Sequence, residues 1–238
     1  MTLIVGVKLP NGILLVSDTR ATNPKDDSVL SDLTRKITHI TPNAYLATAG
    51  TENTFLAARI IRATLYNADP SSYNLRDTIL DLYRKINEIH IGINNSPAGP
   101  IMLAEFNKVH NTFNLSTVDP IDNNFTELNL YGETENVGAI GANRVIRAQM
   151  CTWVKQLLGM YGRNLEHPSV YEDIAKKIQK LFCNFNNPTI SKSVYVTYLS
   201  AIDNMAASAQ FFIDENGRLE VGIKENDTDV ITFKEDNE

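Results

Sequence analysis

The residue whose type and position most directly suggest chemistry lies at the start of the chain. Thr2 directly follows Met1, and a side chain as small as threonine permits removal of the methionine. Thr2 would then carry a hydroxyl nucleophile and a free α-amine, whose unperturbed pKa is roughly 7.7 to 8.0. Such an amine can accept the hydroxyl proton directly or through a water molecule. Thr2 is therefore a candidate nucleophile that carries its own base and needs no histidine.

The first fifty residues begin with a predicted β-hairpin. Residues 2–9 and 13–18 are β-rich and flank the turn sequence Pro10-Asn11-Gly12, which is a strong hairpin signal. The hairpin brings its returning strand, which ends at Asp18, past the N-terminus. Asp18 is therefore the first acidic side chain that local structure can bring towards Thr2.

The register of this hairpin decides whether Thr2 and Asp18 share a face of the sheet. A two-residue turn would pair residue 5 with Asp18 and would place Thr2 on the other face. A three-residue loop with Gly12 in a bulge would pair residue 4 with Asp18. Only the second register makes Thr2 and Asp18 diagonal neighbours, about 7 to 8 Å apart at the backbone.

Lys36 is the second charged candidate, on a strand predicted over residues 34–40. By strand alternation, Thr34 and Thr38 share its face. A buried lysine between a carboxylate and a hydroxyl lowers the pKa of a neighbouring amine or hydroxyl and stabilises an alkoxide. The alternative is that Asp18 and Lys36 form a simple buried salt bridge with no chemical task.

The elements that must position these residues alternate between strands and pairs of helices. This order predicts an α+β fold in which helices cover the outer faces of two stacked antiparallel sheets, a four-layer αββα sandwich. Predicted helices cover residues 52–67, 75–92, 142–159 and 169–185, and predicted strands cover 44–49, parts of 100–140, 193–202, 206–213 and 218–223.

The chain is predicted to form one domain over residues 1–238. Its 43% hydrophobic residues supply one large core, and neither a linker nor an internal repeat interrupts the pattern. Residues 224–238 are acidic apart from Val230-Ile231-Thr232-Phe233. They are interpreted as an edge strand followed by a frayed tail.

Composition excludes several classes of function. The net charge of −6 comes from mixed signs without a basic run, so nucleic acid is not an expected partner. Cys151 and Cys183 give neither a disulfide framework nor a zinc spacing, and the four histidines are far apart. We therefore expect no metal and no cofactor. Without a secretory signal or an apolar run of 18 residues, we expect a cytoplasmic protein and no membrane partner.

Several segments together resemble the start of proteasome β-type subunits and their bacterial relatives, the threonine peptidases of the N-terminal nucleophile group. The resemblance is specific over residues 2–66, and beyond them it depends on the order of elements. It is closer to the β type than to the α type, because the N-terminal helix of α subunits is missing. The segments that carry it are Thr2 to Val7, Asn11 to Thr22, Arg35-Lys36-Ile37 and Leu46 to Gly50.

The resemblance implies a role for each candidate in the hydrolysis of peptide bonds. Thr2 would be the nucleophile, and Asp18 and Lys36 would be the charged pair that orients and activates it. The Gly50 N–H would belong to the oxyanion hole, and Arg20 would support Asp18 or the loop after it. Since only Met1 precedes Thr2, no propeptide is expected to require removal.

The resemblance also implies partners and a specificity pocket. The substrate would be a peptide or an unfolded protein, cut inside homo-oligomeric stacked rings, with an ATP-dependent unfoldase or cap as a candidate partner. The pocket would be unusually polar, and an inward-pointing Glu52 would favour cleavage after basic or small polar residues; alternatively, Glu52 only stabilises the start of its helix. The pocket residues implied are Ala21, Thr34, Thr38, Thr48 and Glu52.

Two departures from the family pattern bear on activity. Active relatives carry a serine that helps to hold the terminal amine, and either alignment of residues 138–143 places an alanine there, Ala139 or Ala142. The aspartate expected near the end of the fourth helix is also absent, and its candidate substitutes are Asn184, Asn186, Ser191 and Ser193.

A third departure lies between Asp18 and Lys36, an interval two residues longer than is usual in the family. The sequence Asn23-Pro24-Lys25-Asp26-Asp27 there predicts an altered surface loop.

Three hypotheses follow. The intact set of Thr2, Asp18 and Lys36 favours an active threonine peptidase. The missing serine favours a catalytically weak or inactive ring subunit with a structural or binding role. The third hypothesis, a small-molecule amidase of the wider N-terminal nucleophile group, predicts a small oligomer rather than a ring.

Overall fold

Two antiparallel sheets and a short ribbon carry the strands of this computed structural model, which describes residues 2–23, 26–67, 75–132, 134–167 and 169–221. The six-stranded sheet has the order β10-β1-β2-β11-β12-β13, the five-stranded sheet has the order β5-β6-β7-β8-β9, and β3 pairs with β4. The strands are β1 Leu3–Leu9, β2 Gly12–Asp18, β3 Ala21–Thr22, β4 Val29–Ser31, β5 Ile37–Thr41, β6 Ala44–Thr48, β7 Ile101–Asn107, β8 Thr112–Val118, β9 Asn129–Leu130, β10 Val137–Gly141, β11 Val194–Ile202, β12 Met205–Ile213 and β13 Leu219–Val221.

The helices occur in two pairs, as the sequence predicts. One pair separates β6 from β7, and the other separates β10 from β11. A single turn of helix and a short 3-10 helix lie between the longer elements. The helices are α1 Glu52–Leu65, α2 Leu75–Asn94, α3 Pro120–Asn123, α4 Arg144–Gly159 and α5 Val170–Cys183, and the 3-10 helix is Gly162–Glu166.

The first hairpin has a register that differs from both predicted ones. Leu9 pairs with Gly12, so the turn consists of Pro10 and Asn11, and Ile4 pairs with Ser17. Gly12 belongs to β2, where it also pairs with Ser200 of β11. Because Gly12 is held between two strands, it cannot serve as a loop residue.

The strand predicted over residues 34–40 begins later, at Ile37, so Lys36 precedes it. The segment before Ile37 does not pair with a single neighbour. The Thr34 N–H donates to the Thr19 oxygen at 2.7 Å, whereas the Lys36 oxygen accepts from the Thr48 N–H at 2.9 Å. This change of partner ends the regular strand and directs Lys36 towards the other sheet.

Helix α4 begins at Arg144 rather than at residue 142. The Asn143 side chain accepts a hydrogen bond from the Ile146 N–H at 3.0 Å and so acts as the N-cap. An asparagine at this position typically stabilises a helix by about 1 kcal/mol. Ala142 therefore lies in the short connection between β10 and α4, which reaches the N-terminus.

Apolar residues form three buried clusters. One joins the two sheets through residues such as Ile4 and Leu15 on one side and Tyr45 and Met102 on the other. The second cluster packs α4 and α5 against the six-stranded sheet, and the third packs α1 and α2 against the five-stranded sheet. The described residues thus form a mixed α/β structure whose element order agrees with the prediction.

Two further features bear on the sequence predictions. The segment between Asp18 and Lys36 forms the β3–β4 ribbon, which the sequence analysis does not predict. The predicted edge strand and tail at residues 224–238 lie outside the described residues.

No helix in the described part of the chain is both long and apolar enough to cross a bilayer.

Candidate functional site

Thr2 lies just before β1, half-buried, and the peptide that follows it is held at both ends. Its carbonyl oxygen accepts a hydrogen bond from the Ala142 N–H at 2.5 Å. The next amide, the Leu3 N–H, donates to Asp18 Oδ1 at 2.9 Å. The position of Thr2 is therefore fixed by β10 on one side and β2 on the other.

The loop after β10 can approach Thr2 so closely because of Gly141. This residue has a φ of +90°, in the region that L side chains disfavour. A Cβ at Gly141 would also overlap the Thr2 carbonyl oxygen. Any larger residue would push away the loop whose Ala142 N–H holds Thr2.

Asp18 is fully buried and accepts hydrogen bonds at both carboxylate oxygens. Oδ1 accepts from the Leu3 N–H and from Lys36 Nζ, the latter at 2.7 Å. Oδ2 accepts from the Arg20 N–H at 3.2 Å and from the Ser191 N–H at 3.5 Å. Such donors stabilise a buried carboxylate in its charged form.

Lys36 is 1% exposed and completes a buried ion pair with Asp18. Its Nζ donates to Asp18 Oδ1 and, at 2.6 Å, to the Arg20 carbonyl oxygen. Burial lowers the pKa of Lys36, and the nearby Asp18 charge opposes this shift. The predicted salt bridge is present, and it is linked through Asp18 to the amide next to Thr2.

The geometry corrects the predicted route from Asp18 to Thr2. With Ile4 paired to Ser17, Asp18 lies opposite Leu3, and Thr2 is not its diagonal neighbour. Asp18 instead reaches the N-terminus through the Leu3 N–H. The contact is with the backbone, which the sequence pattern cannot reveal.

Arg20 supports the loop after Asp18 with its side chain and Asp18 itself with its backbone. Nε donates to Asp32 Oδ1 at 2.5 Å, and Nη1 donates to the Pro188 oxygen at 2.5 Å. The backbone N–H donates to Asp18 Oδ2. Arg20 therefore connects the loop after β2 with the loop after α5.

Gly50 follows β6 and has a φ of +117°. The preceding residue, Ala49, donates its N–H to the Pro100 oxygen at 3.0 Å. The Ala49 Cβ lies 3.2 Å from the position that a Cβ at Gly141 would occupy. The end of β6 therefore lies beside the loop that holds Thr2, as an oxyanion-hole role for the Gly50 N–H would require.

The implied pocket residues divide into buried and accessible ones. Thr38 and Thr48 are 8% and 1% exposed, and the Thr48 hydroxyl has no hydrogen-bond partner within the described residues. Ala21 and Thr34 are half-buried. Glu52 is exposed as the first residue of α1. The polar character predicted for this set therefore comes from the threonines more than from the carboxylate.

The two alanines that sequence alone cannot distinguish have different surroundings. Both alanines contact the apolar cluster of α4 and α5, but Ala139 lies within β10, where it pairs with Val5 of β1. Ala142 is buried, and its N–H bonds to Thr2. Ala142 is therefore the alanine that lies next to the terminal residue.

Among the four polar candidates after α5, Ser191 lies nearest to the charged pair. Its N–H faces Asp18 Oδ2, and its hydroxyl accepts from Thr19 Oγ1 at 3.2 Å. Thr19 Oγ1 also approaches the Ser193 oxygen at 3.4 Å. Asn184 instead forms the C-cap of α5, and Asn186 lines a cleft of about 610 Å³ that includes Arg20 and Ser191.

Thr19 and Gly141 were not identified as site residues by sequence reasoning. The only feature of the sequence that could have identified Thr19 as a site residue is its position directly after Asp18. Gly141 lies in a glycine-containing segment, but only the close approach of Thr2 explains its role. No cluster of His, Cys, Asp or Glu that could hold a metal occurs within the described ranges.

Comparison with known protein families gives one match. The family model of the proteasome subunit matches residues 2–76, a segment that contains Thr2, Asp18, Lys36 and Gly50. The predicted resemblance is confirmed over this part of the chain, which is consistent with a proteasome-type subunit. At the level of the family, the match supports a peptidase of the N-terminal nucleophile type and a ring-type assembly. No curated protein matches the chain.

Proposed function

We propose that this protein is a threonine-type endopeptidase subunit in which Thr2, after removal of Met1, is the nucleophile. The observation that carries the proposal is the buried pair of Asp18 and Lys36. Asp18 binds both Lys36 Nζ and the amide that follows Thr2. A buried ion pair is costly unless its geometry is good, and this one lies beside a residue with its own nucleophile and base.

In the acylation step, Thr2 Oγ attacks the carbonyl carbon of the scissile peptide bond. The neutral α-amine of Thr2 takes the hydroxyl proton, directly or through water. The Gly50 N–H donates to the oxyanion, and the Lys36 charge stabilises the developing alkoxide. Collapse of the intermediate breaks the C–N bond, and the α-ammonium returns the proton to the leaving amine. An ester between Thr2 Oγ and the acyl group remains.

Deacylation uses the same groups in the reverse order. The α-amine removes a proton from a water molecule, which attacks the ester carbonyl. The oxyanion again receives the Gly50 N–H, and collapse returns a proton to Thr2 Oγ. Asp18 has a positioning task in both steps, since it binds the Leu3 N–H and Lys36 rather than the substrate.

The proposal includes the assembly in which such a subunit works. Residues 1–238 form one domain with a four-layer αββα sandwich, and twelve or more copies form stacked homo-oligomeric rings in the cytoplasm. The cluster between the sheets and the two helix-facing clusters support the layer order. Native mass measurement tests the assembly, because a monodisperse monomer would contradict rings and a small oligomer would favour an amidase.

The substrates would be peptides or unfolded proteins, delivered by an ATP-dependent unfoldase or cap. The polar residues Thr34, Thr38 and Thr48 support cleavage after basic or small polar residues rather than after Leu or Phe. A basic side chain would require a carboxylate partner, for which Glu52 is the candidate.

The central experiment combines mass spectrometry of the N-terminus with a peptidase assay of Thr2→Ala. We expect Met1 to be absent from the purified protein and turnover to be abolished in the variant. The substitution deletes only an Oγ and a methyl group from a half-buried residue, so folding should be retained. Turnover equal to that of the wild type would disprove the mechanism, and retained Met1 would leave the amine blocked.

The second candidate function is a weak or inactive ring subunit. The observation that favours it is Ala142, whose N–H holds the Thr2 oxygen but whose side chain offers no hydroxyl to the terminal amine. A ring of the expected mass, with Met1 removed and without turnover on a broad peptide panel, would support this candidate over the first.

A further inference from the structure

The charged pair connects two different sheets. Asp18 ends β2 of the six-stranded sheet, whereas Lys36 directly precedes β5 of the five-stranded sheet. The distance between the carboxylate and the ammonium therefore depends on how the two sheets are held together at this point.

A polar network includes Arg35, the chain neighbour of Lys36. Arg35, the residue before Lys36, donates from Nη2 to Gln210 Oε1 at 2.5 Å. The same oxygen accepts from the Tyr195 hydroxyl at 2.5 Å, and Gln210 Nε2 donates to the Tyr45 hydroxyl at 2.9 Å. The Arg35 guanidinium also lies over the Tyr195 ring, 4.6 Å from its centroid.

This network crosses from one sheet to the other. Tyr195 and Gln210 belong to β11 and β12 of the six-stranded sheet, and Tyr45 belongs to β6 of the five-stranded sheet. Tyr195 and Tyr45 are both fully buried in the cluster between the sheets. Hydrogen bonds to a charged group in such surroundings are stronger than those between neutral partners.

The network also lies directly behind the charged pair. Tyr195 pairs in register with Ser17, the residue before Asp18. Arg35 is itself the residue before Lys36 in the chain. A shift of Arg35 is therefore passed on to Lys36 through one peptide unit, whereas a shift of Tyr195 is passed on to Asp18 through the strand pairing with Ser17.

We infer that Arg35 and Gln210 are positioning residues. Their hydrogen bonds link the two sheets beside the charged pair and so fix the distance between Asp18 and Lys36. This inference rests on the proposed peptidase function for its effect on turnover, but not for its effect on structure. Misplacement of a catalytic group by about 1 Å can cost about 100-fold in rate. Loss of these hydrogen bonds between the sheets should therefore lower kcat more than it raises KM.

The first test uses Arg35→Met and Gln210→Met, which keep most of the side-chain volume and remove the polar contacts. We expect kcat to fall about 10- to 100-fold while KM stays within about twofold. Gln210→Glu keeps an oxygen that accepts from Arg35 and Tyr195, so it should recover most of the kcat lost in Gln210→Met.

Arg62→Met is the matched control. Arg62 also stacks on a tyrosine, with its guanidinium 4.3 Å from the Tyr66 centroid, and donates to a backbone oxygen, that of His39. Its loss should lower stability to a similar extent and leave kcat unchanged. An equal loss of kcat in Arg62→Met, or no rescue by Gln210→Glu, would overturn the positioning role.

Amide hydrogen exchange tests the same inference without turnover. The Leu3 N–H bonds to Asp18 and the Thr48 N–H bonds to the Lys36 oxygen, so both report the position of the pair. In Gln210→Met their protection should fall about tenfold, and in Arg62→Met it should not. Unchanged protection in Gln210→Met would overturn the inference even if the enzyme were inactive, whereas turnover by Thr2→Ala would overturn only the proposed function.

Discussion

Two regions of the molecule hold Thr2, and they do so by different chemistry. The first fifty residues contribute charged side chains, of which Asp18 and Lys36 are the buried pair. The loops after β10 and after α5 contribute backbone N–H groups: that of Ala142 bonds to the Thr2 oxygen, and that of Ser191 bonds to Asp18 and so acts on Thr2 only indirectly. Side-chain substitution should therefore damage the first region severely and the second region only slightly.

Lys36→Ala should show the largest effect in the first region. It removes the charge that we propose to stabilise the alkoxide, and it leaves Asp18 buried without its ionic partner. We expect kcat to fall by several orders of magnitude, of which the lost stabilisation of the alkoxide supplies about 10²- to 10³-fold. The free energy of unfolding should fall by about 3 to 5 kcal/mol. Peptidase kinetics and denaturant unfolding measure the two losses.

The control for Lys36 is another lysine with a carboxylate partner. Lys177 bonds to Asp173 on the surface of α5, four residues apart. Lys177→Ala should leave turnover unchanged and lower the free energy of unfolding far less than Lys36→Ala does, because solvent screens the exposed pair. If Lys36→Ala behaves like Lys177→Ala, Lys36 is only a structural ion-pair partner.

Ser191→Ala should have a much smaller effect, since it acts on the second region. The substitution removes a hydroxyl that accepts from Thr19 Oγ1 and from the Ser193 N–H. It keeps the Ser191 N–H that faces Asp18. We expect a loss of about 1 kcal/mol in the free energy of unfolding and less than a tenfold change in kcat, measured by unfolding and by peptidase kinetics. A loss as large as that of Lys36→Ala would mean that the hydroxyl itself acts on the terminal amine.

The same contrast explains which parts of the site the sequence could predict. Asp18 and Lys36 are recognisable because both belong to segments that carry the family resemblance, and charges next to core strands must be paired when they are buried. The Ala142 and Ser191 contacts are made by N–H groups that every non-proline residue possesses. Sequence therefore gives no signal for them until the loops are placed.

The fold was predictable to a similar degree. Long periodic segments, such as α2 and β11, appear within two residues of their predicted bounds at each end. Both predicted registers of the first hairpin were wrong, because the observed register depends on β11, whose Ser200 pairs with Gly12. A contact across nearly the whole chain cannot be recognised from the local turn sequence.

Ala142→Ser should have a smaller effect still, and one of opposite sign. The Ala142 N–H bonds to the Thr2 oxygen, and the Ala142 side chain lies at the edge of the apolar cluster of α4 and α5, so a serine hydroxyl here must turn from that cluster towards Thr2 to reach the proposed terminal amine. We expect kcat to rise about two- to fivefold, as about 0.5 to 1 kcal/mol from one added hydrogen bond would allow. Ala139→Ser is the control, because Ala139 lies opposite Val5 within the sheet rather than beside Thr2, and its kcat should not rise. A rise in both variants would show that the gain does not come from the terminal amine.

The smallest expected effect concerns Glu52. This residue belongs to neither set of contacts around Thr2, so its substitution should change only the preference for the substrate residue before the cut. Glu52 is exposed in the first turn of α1, and the N-cap residue Thr51 makes no side-chain capping bond. A carboxylate there stabilises the helix by a few tenths of a kcal/mol. If it also pairs with a basic side chain of the substrate, solvent screening limits that contribution to less than about 1 kcal/mol.

We therefore expect Glu52→Gln to lower kcat/KM about two- to fivefold for peptides cut after Lys or Arg, and to leave those cut after Ser or Thr unchanged. A panel of fluorogenic peptides measures both changes. The small polar preference should persist, because it depends on the buried Thr38 and on the Thr48 hydroxyl. A wild type that prefers Leu or Phe would contradict the polar pocket as a whole. A wild-type preference for basic residues that survives in Glu52→Gln would instead show that Glu52 serves only its helix.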